Sequence, residues 1–599
     1  MEQQPQAIFA QQIDRYTAEA RATEAQLVRI AWTRLGLFAL ALTLEIMSWR
    51  WGGLWWLLVI ALFLLAFGLV VKWYQRIDRI KQYQLELKRI NQEELDRLDH
   101  KLEGLDGGEE FADRKHPYSS DLDLFGERSL FAYLSRATTV FGRRQLADYL
   151  RNPADREGIA QRQASVEELA PQLDWRQNLQ ATGRMTEQGE DRTDFLQKWG
   201  EQAPVIRKDP LFRWVPWILS PLALVTIVAG FAELIPLWTG LIALTINYLF
   251  NRRIMAYSQQ VYRETESSTR ALRAYGNLLA QIENAKFKTP LLQQVQTVLQ
   301  GEGPKAHAEI AGLVRILTNL ELRMNGLPYF IMQHLFFWDI FWIGRLELWK
   351  RRNGRDLIGW FEMMGQVEAL NSLAALRFAH PDWTVPEVAE EGFVIAGEAL
   401  GHPMLPQTVR VSNPIAIERA GLIWLITGSN MSGKSTYLRT VGINAVLALA
   451  GAPACAARFR ITPMQVLTSM RTLDSLEEST SSFYAELKRL KMVIERVETG
   501  EPVLFLLDEI LKGTNSRDRH AGAKALIHQL QANGGSGLVS THDLELVEMA
   551  EALPGDIVNY SFNCDVGTDG ELHFNYALTD GVCQSMNATE LMKAMGIRM

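Results

Sequence analysis

Residues 428–436 read Gly-Ser-Asn-Met-Ser-Gly-Lys-Ser-Thr, a spacing suited to holding a phosphate chain. Gly428 and Gly433 let the backbone curl so that successive amides point inward, Lys434 reaches the terminal phosphates, and the Ser435 hydroxyl takes a Mg²⁺ position. Gly428, Ser429, Asn430, Met431, Ser432, Gly433, Lys434, Ser435 and Thr436 are therefore the expected nucleotide-binding residues. A chain with this loop is expected to bind a nucleoside triphosphate with magnesium.

The mechanism needs the loop between a strand and a helix. Residues 421–427 (GLIWLIT) form a short β-rich apolar run, and 436–452 continue with helical periodicity and no proline. A second run, PVLFLLDE (502–509), ends in two carboxylates, as a buried parallel strand does when it delivers charge to its C-terminal edge. Asp508 is expected to hold Mg²⁺ and Glu509 to polarise the attacking water. A third run, GLVSTHD (537–543), ends in Thr541 and His542. A neutral His542 there can sense the γ-phosphate or orient water, since phosphoryl transfer depends on positioning and charge stabilisation. The catalytic set is Lys434, Glu509 and His542, and the metal set is Ser435 and Asp508.

These motifs, in this order, resemble the ATPase domain of the MutS family, within the ABC-type ATPases. SSFYAEL (481–487) resembles the signature S-T-F-x-x-E-M, DEILKGTNSRD (508–518) resembles D-E-x-x-R-G-T-S-T-x-D, and VSTHDLEL (539–546) resembles A-T-H-x-x-E-L. The resemblance implies that Ser481 and Ser482 help complete the nucleotide site of a second subunit. It also implies that Gly513, Thr514, Asn515 and Ser516 form the loop linking the two sites of a homodimer, with ATP and Mg²⁺ held at the interface.

The resemblance extends upstream. Residues 121–153 and 159–169 look like the start of the family's helical core, with Gly126, Thr138, Thr139 and Gly142 at recurrent positions. LNSLAAL (370–376) and GEALGHPML (397–405) resemble the end of the lever and the approach to the ATPase domain, with Gly401 where relatives usually carry arginine. There are departures. Lys512 replaces the usual arginine of the linking loop and Ser479 replaces a glycine before the signature. The soluble region before Asp121 is too short for the module that wedges a phenylalanine into mispaired DNA. Phe231-Ala232-Glu233 has the wedge's spacing but sits in an apolar run, a coincidence of composition.

Long apolar runs set the chain apart from a soluble protein. The first hairpin spans about Ala31 to Trp73; its second half is uncharged and long enough for the about 20 residues that cross a bilayer, while its first half carries Glu45. The second hairpin, about Trp214 to Phe250, turns at Glu233–Pro236. Lys72, Arg76, Arg79 and Lys81 follow the first hairpin, and Arg207, Lys208, Arg213, Arg252 and Arg253 flank the second. The connection inside the first has only Arg50 and that inside the second no Lys or Arg, which places both termini and the ATPase in the cytoplasm. Trp49, Trp51, Trp55, Trp56, Trp73, Trp214, Trp217 and Trp238 lie near segment ends, as interfacial anchors do. Four spans in two hairpins are expected in the inner (cytoplasmic) membrane, in contact with lipid. Residues 327–344 are a candidate fifth span, but Gln333, His334 and Asp339 interrupt them at helical spacing, which favours a buried core helix.

Composition fits a folded multidomain chain: 599 residues, 47% hydrophobic, 22% charged and a net charge of −7, with no global basic footprint for nucleic acid. Cys455, Cys564 and Cys583 are scattered, giving neither a disulfide framework nor a metal cluster. Residues 76–103 and 253–300 show helical periodicity. The expected division is an N-terminal cytoplasmic helix (1–30), a transmembrane hairpin (31–73), a helical linker (74–120), a first MutS-like core part (121–212), a second transmembrane hairpin (213–251), core and lever helices (252–390) and an α/β ATPase domain (391–599). Asp569-Gly570 marks a hairpin turn near its end. The apolar hairpins imply a membrane-anchored protein, and the resemblance implies an ATPase that binds mismatched or branched DNA. The alternative class is a membrane mechanochemical ATPase or ABC-like transporter without DNA binding.

Overall fold

The computed structural model describes all residues except 1–3, 52–54, 186–205, 207–208, 266–267, 302, 325, 472–481, 567–571 and 584–599. Two very long helices, α1 (Pro5–Trp51) and α2 (Trp55–Leu98), pack against each other as a hairpin. Both run unbroken through residues 30 and 73, so the apolar tip and the polar stem are one element. Toward the tip Trp32, Leu35, Leu64 and Leu65 face outward; at the base Phe9, Tyr16, Leu87 and Ile90 are buried.

Next come α3 (Leu130–Leu134), α4 (Val140–Arg151), α5 (Arg156–Leu169) and α6 (Leu173–Arg184). Ser129, Thr139 and Asp155 start the first three, each side chain accepting an orphan amide of the opening turn. The second apolar hairpin is α7 (Pro210–Phe231) and α8 (Trp238–Arg252), with Glu233 at φ 57° in the turn. Among the described residues three helices, Pro5–Ser48, Trp55–Leu98 and Pro210–Phe231, are long and apolar enough to cross a membrane, by length and composition only. The fourth expected span, α8, is 15 residues, fewer than the about 20 a span requires.

Residues 253–300, read as one periodic helical stretch, form α9 (Met255–Thr265), α10 (Ser268–Asn284) and α11 (Pro290–Gln300). Pro290 has no amide hydrogen and so begins a helix instead of continuing one. After α12 (Ala306–Leu320) the 327–344 stretch also divides, into α13 (Gly326–Phe336) and α14 (Trp338–Asn353), with Phe337 left-handed at φ 53°. The expected core helix is therefore only α14. A helix end leaves carbonyls without intrahelical partners, and here the second hairpin supplies them. Asn251 Nδ2 donates to Gln333 O (2.9 Å), Asn247 Nδ2 to His334 O (2.7 Å) and Ser220 Oγ to Leu335 O (2.5 Å). Three polar side chains in apolar helices thus fix where α13 stops.

Helix α15 (Leu357–Ala379) is the central strut of the helical core, packed on α4 and α5. Gly365 lies where a Cβ would be 2.6 Å from the Phe141 backbone, which lets α15 and α4 touch. Glu368 of α15 is buried and accepts from Thr138 N (2.8 Å), Thr138 Oγ1 (2.7 Å), Thr139 N (3.3 Å) and the Thr139 hydroxyl. Burial raises its pKa against those bonds. A second buried acid, Glu94 of α2, is bidentate to Arg136 (2.9 and 2.7 Å). Burial alone would raise it, but Arg136, with Arg97 beyond, holds it down at about 2.

The C-terminal region is α/β. A four-stranded sheet in the order β1-β5-β2-β3 comprises β1 (Glu387–Val388), β2 (Ile395–Leu400), β3 (Asn413–Ile417) and β5 (Arg458–Ile461). A six-stranded sheet in the order β10-β9-β4-β8-β7-β6 comprises β4 (Ile423–Gly428), β6 (Gln465–Ser469), β7 (Val503–Asp508), β8 (Ser536–Thr541), β9 (Ile557–Val566) and β10 (Leu572–Asp580). All neighbours in it are parallel except β9 and β10. Its helices are α16 (Lys434–Ala450), α17 (Ser482–Val497), α18 (Ser516–Ala532) and the short α19 (Met549–Ala552). The Asp569-Gly570 turn lies outside the described residues, although β9 and β10 pair on either side of it.

Helical core and sheet meet at residues 117–124. Thr468 N, on edge strand β6, donates to Pro117 O (3.0 Å), and Asp121 Oδ2 accepts from Thr468 Oγ1 (2.6 Å) and Met470 N (3.2 Å) and faces Arg489 of α17 (3.4 Å). Leu122 packs where a side chain on Gly442 of α16 would collide.

Candidate nucleotide site

Parallel register brings the three motifs to one edge. Thr427 of β4 pairs with Thr541 of β8, and Asp508 of β7 pairs with Ser540 of β8. Gly428, His542 and Glu509 therefore follow their strands side by side at the carboxyl edge, where open parallel sheets place ligands. The strands β4 and β8 are buried along their whole length, so the apolar runs in the sequence are strands covered on both faces.

The loop from β4 to α16 is built on conformations that only small or strained residues adopt. Gly428 (φ 155°) and Gly433 (φ 106°) are left-handed, and a Cβ on Gly428 would lie 2.7 Å from Phe562 O and 2.8 Å from Ser432 Oγ. Met431 sits at φ 67° with its side chain exposed. The Ser432 hydroxyl is buried with no protein partner, a polar atom suited to an oxygen-rich ligand. Lys434 is buried at the helix N-terminus and donates to Gly428 O (2.9 Å) and Ser429 O (3.0 Å). Burial lowers its pKa, while Glu509 and Asp508 resist that shift. These features fit a triphosphate: a cradle of amides, an orphan hydroxyl and an ammonium whose acceptors among the described residues are neutral carbonyls.

Beside the loop stand the acids. Ser435 Oγ donates to Asp508 Oδ2 (2.6 Å), and Ser540 donates to the other carboxylate oxygen. A hydroxyl and a carboxylate in contact are the hard oxygen ligands Mg²⁺ prefers. Glu509 adopts φ 48°, a strained position of the kind found at functional sites. Its Oε1 is 2.9 Å from His542 Nε2 and its Oε2 is 2.7 Å from Lys512 Nζ. The His542 hydrogen bond, and Lys512 after it, hold Glu509 at about 2 against partial burial. Because a carboxylate only accepts, His542 Nε2 carries the proton in this bond; Lys434 Nζ, 3.4 Å away, is then a neighbour and not a donor to it.

A cleft of about 510 Å³ opens from the loop and is lined by Leu405, Val409, Val411, Phe562 and Tyr576 as well as the loop residues. Spacing gave no hint of these. Tyr576 (φ 51°) lies in a bulge of β10 between Phe574 and Leu578, pinned by Asn413 through Tyr576 O (3.0 Å) and Leu578 N (2.8 Å). The bulge turns Tyr576 over Gly433. His402, in the same wall, is kept neutral: burial first, then Arg439, brings it to about 4.

Gly513, Thr514, Asn515 and Ser516 precede α18. A Cβ on Gly513 would lie 2.7 Å from Phe483 Cβ, and Asn515 is the N-cap of α18, accepting from Asp518 N (3.0 Å), with Ser516 the first helical residue. Glu486 of α17 accepts from Leu511 N, tying α17 to this loop. Ser481 lies outside the described residues, and Ser482 begins α17.

A strand, a glycine-rich turn and a helix N-terminus beside a Ser–Asp pair define an α/β domain of the phosphate-loop class. Residues 424–597, which include the loop, match the family model described as MutS domain V. The chain is 35% identical over 239 residues to the DNA mismatch repair protein MutS 2 of Halobacterium salinarum, covering 39% of this chain and 27% of that protein. It is 28% identical over 319 residues to the DNA mismatch repair protein MutS of Aquifex pyrophilus (52% and 35% covered) and 31% identical over 245 residues to that of Haloquadratum walsbyi (39% and 25%). The C-terminal part of the chain is thus similar to domain V of the MutS family. The matched stretch spans about a quarter to a third of the length of these relatives.

Proposed function

We propose that this chain is a membrane-anchored MutS-type ATPase that hydrolyses ATP to ADP and phosphate with Mg²⁺, its site closing against a second copy of itself. The observation that carries the reading is the convergence of Lys434, Ser435, Asp508, Glu509 and His542 at one sheet edge. Ser435 and Asp508 would hold the ion, which when bound offsets phosphate charge. Lys434 stabilises charge on the terminal phosphate, and the apolar wall from Leu405 to Tyr576 receives the base. Glu509, already ionised and oriented by His542, positions the attacking water. Ser481 and Ser482 reach the site of the second copy, and the 513–516 loop carries the state of one site to the other. The Asp121 and Arg489 contacts support the helical core as the lever. The test is ATP turnover and sedimentation of purified protein. Glu509→Gln should trap an ATP-bound dimer, and turnover that survives the substitution would sink the proposal.

The DNA part follows the family. Three relatives are named DNA mismatch repair proteins, and binding of mismatched or branched duplex is proposed here on that likeness. Phosphate contacts predict affinity that falls steeply with salt; no binding at low salt removes DNA from the account. A second reading, a membrane mechanochemical ATPase or ABC-like transporter without DNA, is favoured by one feature. Helix α2 runs without interruption from its apolar tip to Arg97, which donates to Ser135 O (3.0 Å) inside the core, so tilt at either end reaches the other. Turnover stimulated by duplex, against turnover stimulated by lipid, separates the two. The proposed location is the inner (cytoplasmic) membrane, multi-pass, with the ATPase domain in the cytoplasm. Protease protection of the C-terminal domain in right-side-out vesicles, lost on permeabilisation, is the expected result.

A further inference from the structure

Between α7 and α14 lies a groove of about 600 Å³ that the nucleotide site does not use. Its walls are largely apolar: Pro216, Trp217 and Pro221 on α7 and Phe337, Phe341 and Gly344 opposite. Pro216 and Pro221 lack amide hydrogens, so α7 cannot close its ladder along this stretch. Gly344 keeps the far wall low; a Cβ there would meet only Ile206, at 3.9 Å. Two exposed arginines, Arg213 and Arg345, also line the groove. Their recorded partners are rings: Arg213 lies 5.5 Å from the Trp214 centroid, and Arg345 lies 4.9 Å from Phe341 and 5.6 Å from Trp342. Among the described residues neither forms an ion pair with a carboxylate.

We propose that this groove binds an anionic phospholipid, with the phosphate against Arg213 and Arg345 and an acyl chain laid along Pro216, Trp217 and Phe341 toward Pro221. The inference rests on the membrane reading given above. Three observations select this occupant. The two lining arginines are exposed and no described carboxylate pairs with either, and basic pockets beside spanning helices on the cytoplasmic side hold anionic head groups. The groove continues onto the outer face of α7, where Trp214, Trp217 and Ile218 are exposed. From Arg213 to Pro221 is eight residues, about 12 Å of helix, a depth that carries an acyl chain from the head-group level into the hydrocarbon.

The test uses the full chain reconstituted in vesicles of equal phosphatidylglycerol and phosphatidylcholine, floated on a gradient, then extracted in mild detergent for native mass spectrometry. Retention of phosphatidylglycerol over phosphatidylcholine is expected, and the double variant Arg213→Gln/Arg345→Gln should lower that preference roughly tenfold. Gly344→Phe, which fills the groove but leaves both charges, should reduce retention of both lipids. Equal retention of the two lipids by the natural sequence, or a preference unchanged in the double variant, overturns the proposal while leaving the membrane reading standing. Failure of the natural sequence to float with the vesicles overturns the membrane reading itself.

Discussion

Two glutamates, Glu509 at the sheet edge and Glu368 in the helical core, differ in their access to solvent and in the partners that hold them. Glu509 is partly exposed, sits on a strained backbone and is held by two side chains, His542 and Lys512, that can exchange for a ligand. Glu368 is buried and receives two amides and two hydroxyls from Thr138 and Thr139, with a Cβ on Gly142 forbidden at 2.5 Å from its carboxylate. One is ionised by neighbours that leave it accessible. The other is kept by bonds that no solvent competes for. Access and replaceable partners accompany chemistry; saturation and burial accompany architecture.

The sharpest way to break this contrast is to neutralise each carboxylate. Glu509→Gln should cut ATP turnover by about 100-fold or more while leaving the unfolding midpoint near its starting value, read by steady-state kinetics and thermal melts. Glu368→Ala should do the reverse, costing about 3 kcal/mol of stability by stranding buried donors, with kinetics of the surviving folded protein little changed. Denaturant unfolding of the two variants side by side would collapse the distinction if both lost stability equally.

A third buried acid extends the comparison by pH. Glu94 titrates at about 2 in the fold against 4.5 ordinarily, so its contribution is complete above about pH 4.5 and is lost as pH falls toward about 2. That difference amounts to roughly 3 kcal/mol. The loss of stability between about pH 4.5 and about pH 2 should therefore be less steep in Arg136→Met with Glu94→Leu, where no charge pair is left to protonate. The smallest effect is expected at Lys512. Lys512→Ala removes one of the partners that depress Glu509, raising its pKa while the His542 bond still holds it below the ordinary carboxylate value. The acid limb of the pH–rate profile should move up accordingly, and an unmoved limb would show that Lys512 does not act on Glu509 in the working enzyme.

Much of the site was legible because its chemistry is local. The glycines of 428–436 and the apolar runs ending in Asp508, Glu509 and His542 announce a turn and strand ends wherever they occur, and the helix after the loop begins at Lys434, two residues before the periodic stretch. The cleft wall was not legible. Asn413 and Tyr576 are 163 residues apart, and only a bulge late in the chain brings one over the other's neighbourhood. The helical region shows the same limit. Periodicity continues through Phe337, but the stop is decided by Asn247, Asn251 and Ser220 reaching across from another hairpin.

By itself the order of residues determined a glycine-rich turn, two carboxylates and a histidine at strand ends, and several runs too apolar to be ordinary surface, because each depends on neighbours within a few positions. Tertiary structure alone decided that β4, β8 and β7 lie adjacent in a register that brings Gly428, His542 and Glu509 to a common edge. It also decided that α1 and α2 carry apolar tip and buried base as continuous rods. Strand order and helix packing are settled by burial summed over distant parts of the chain, and no local pattern encodes that sum.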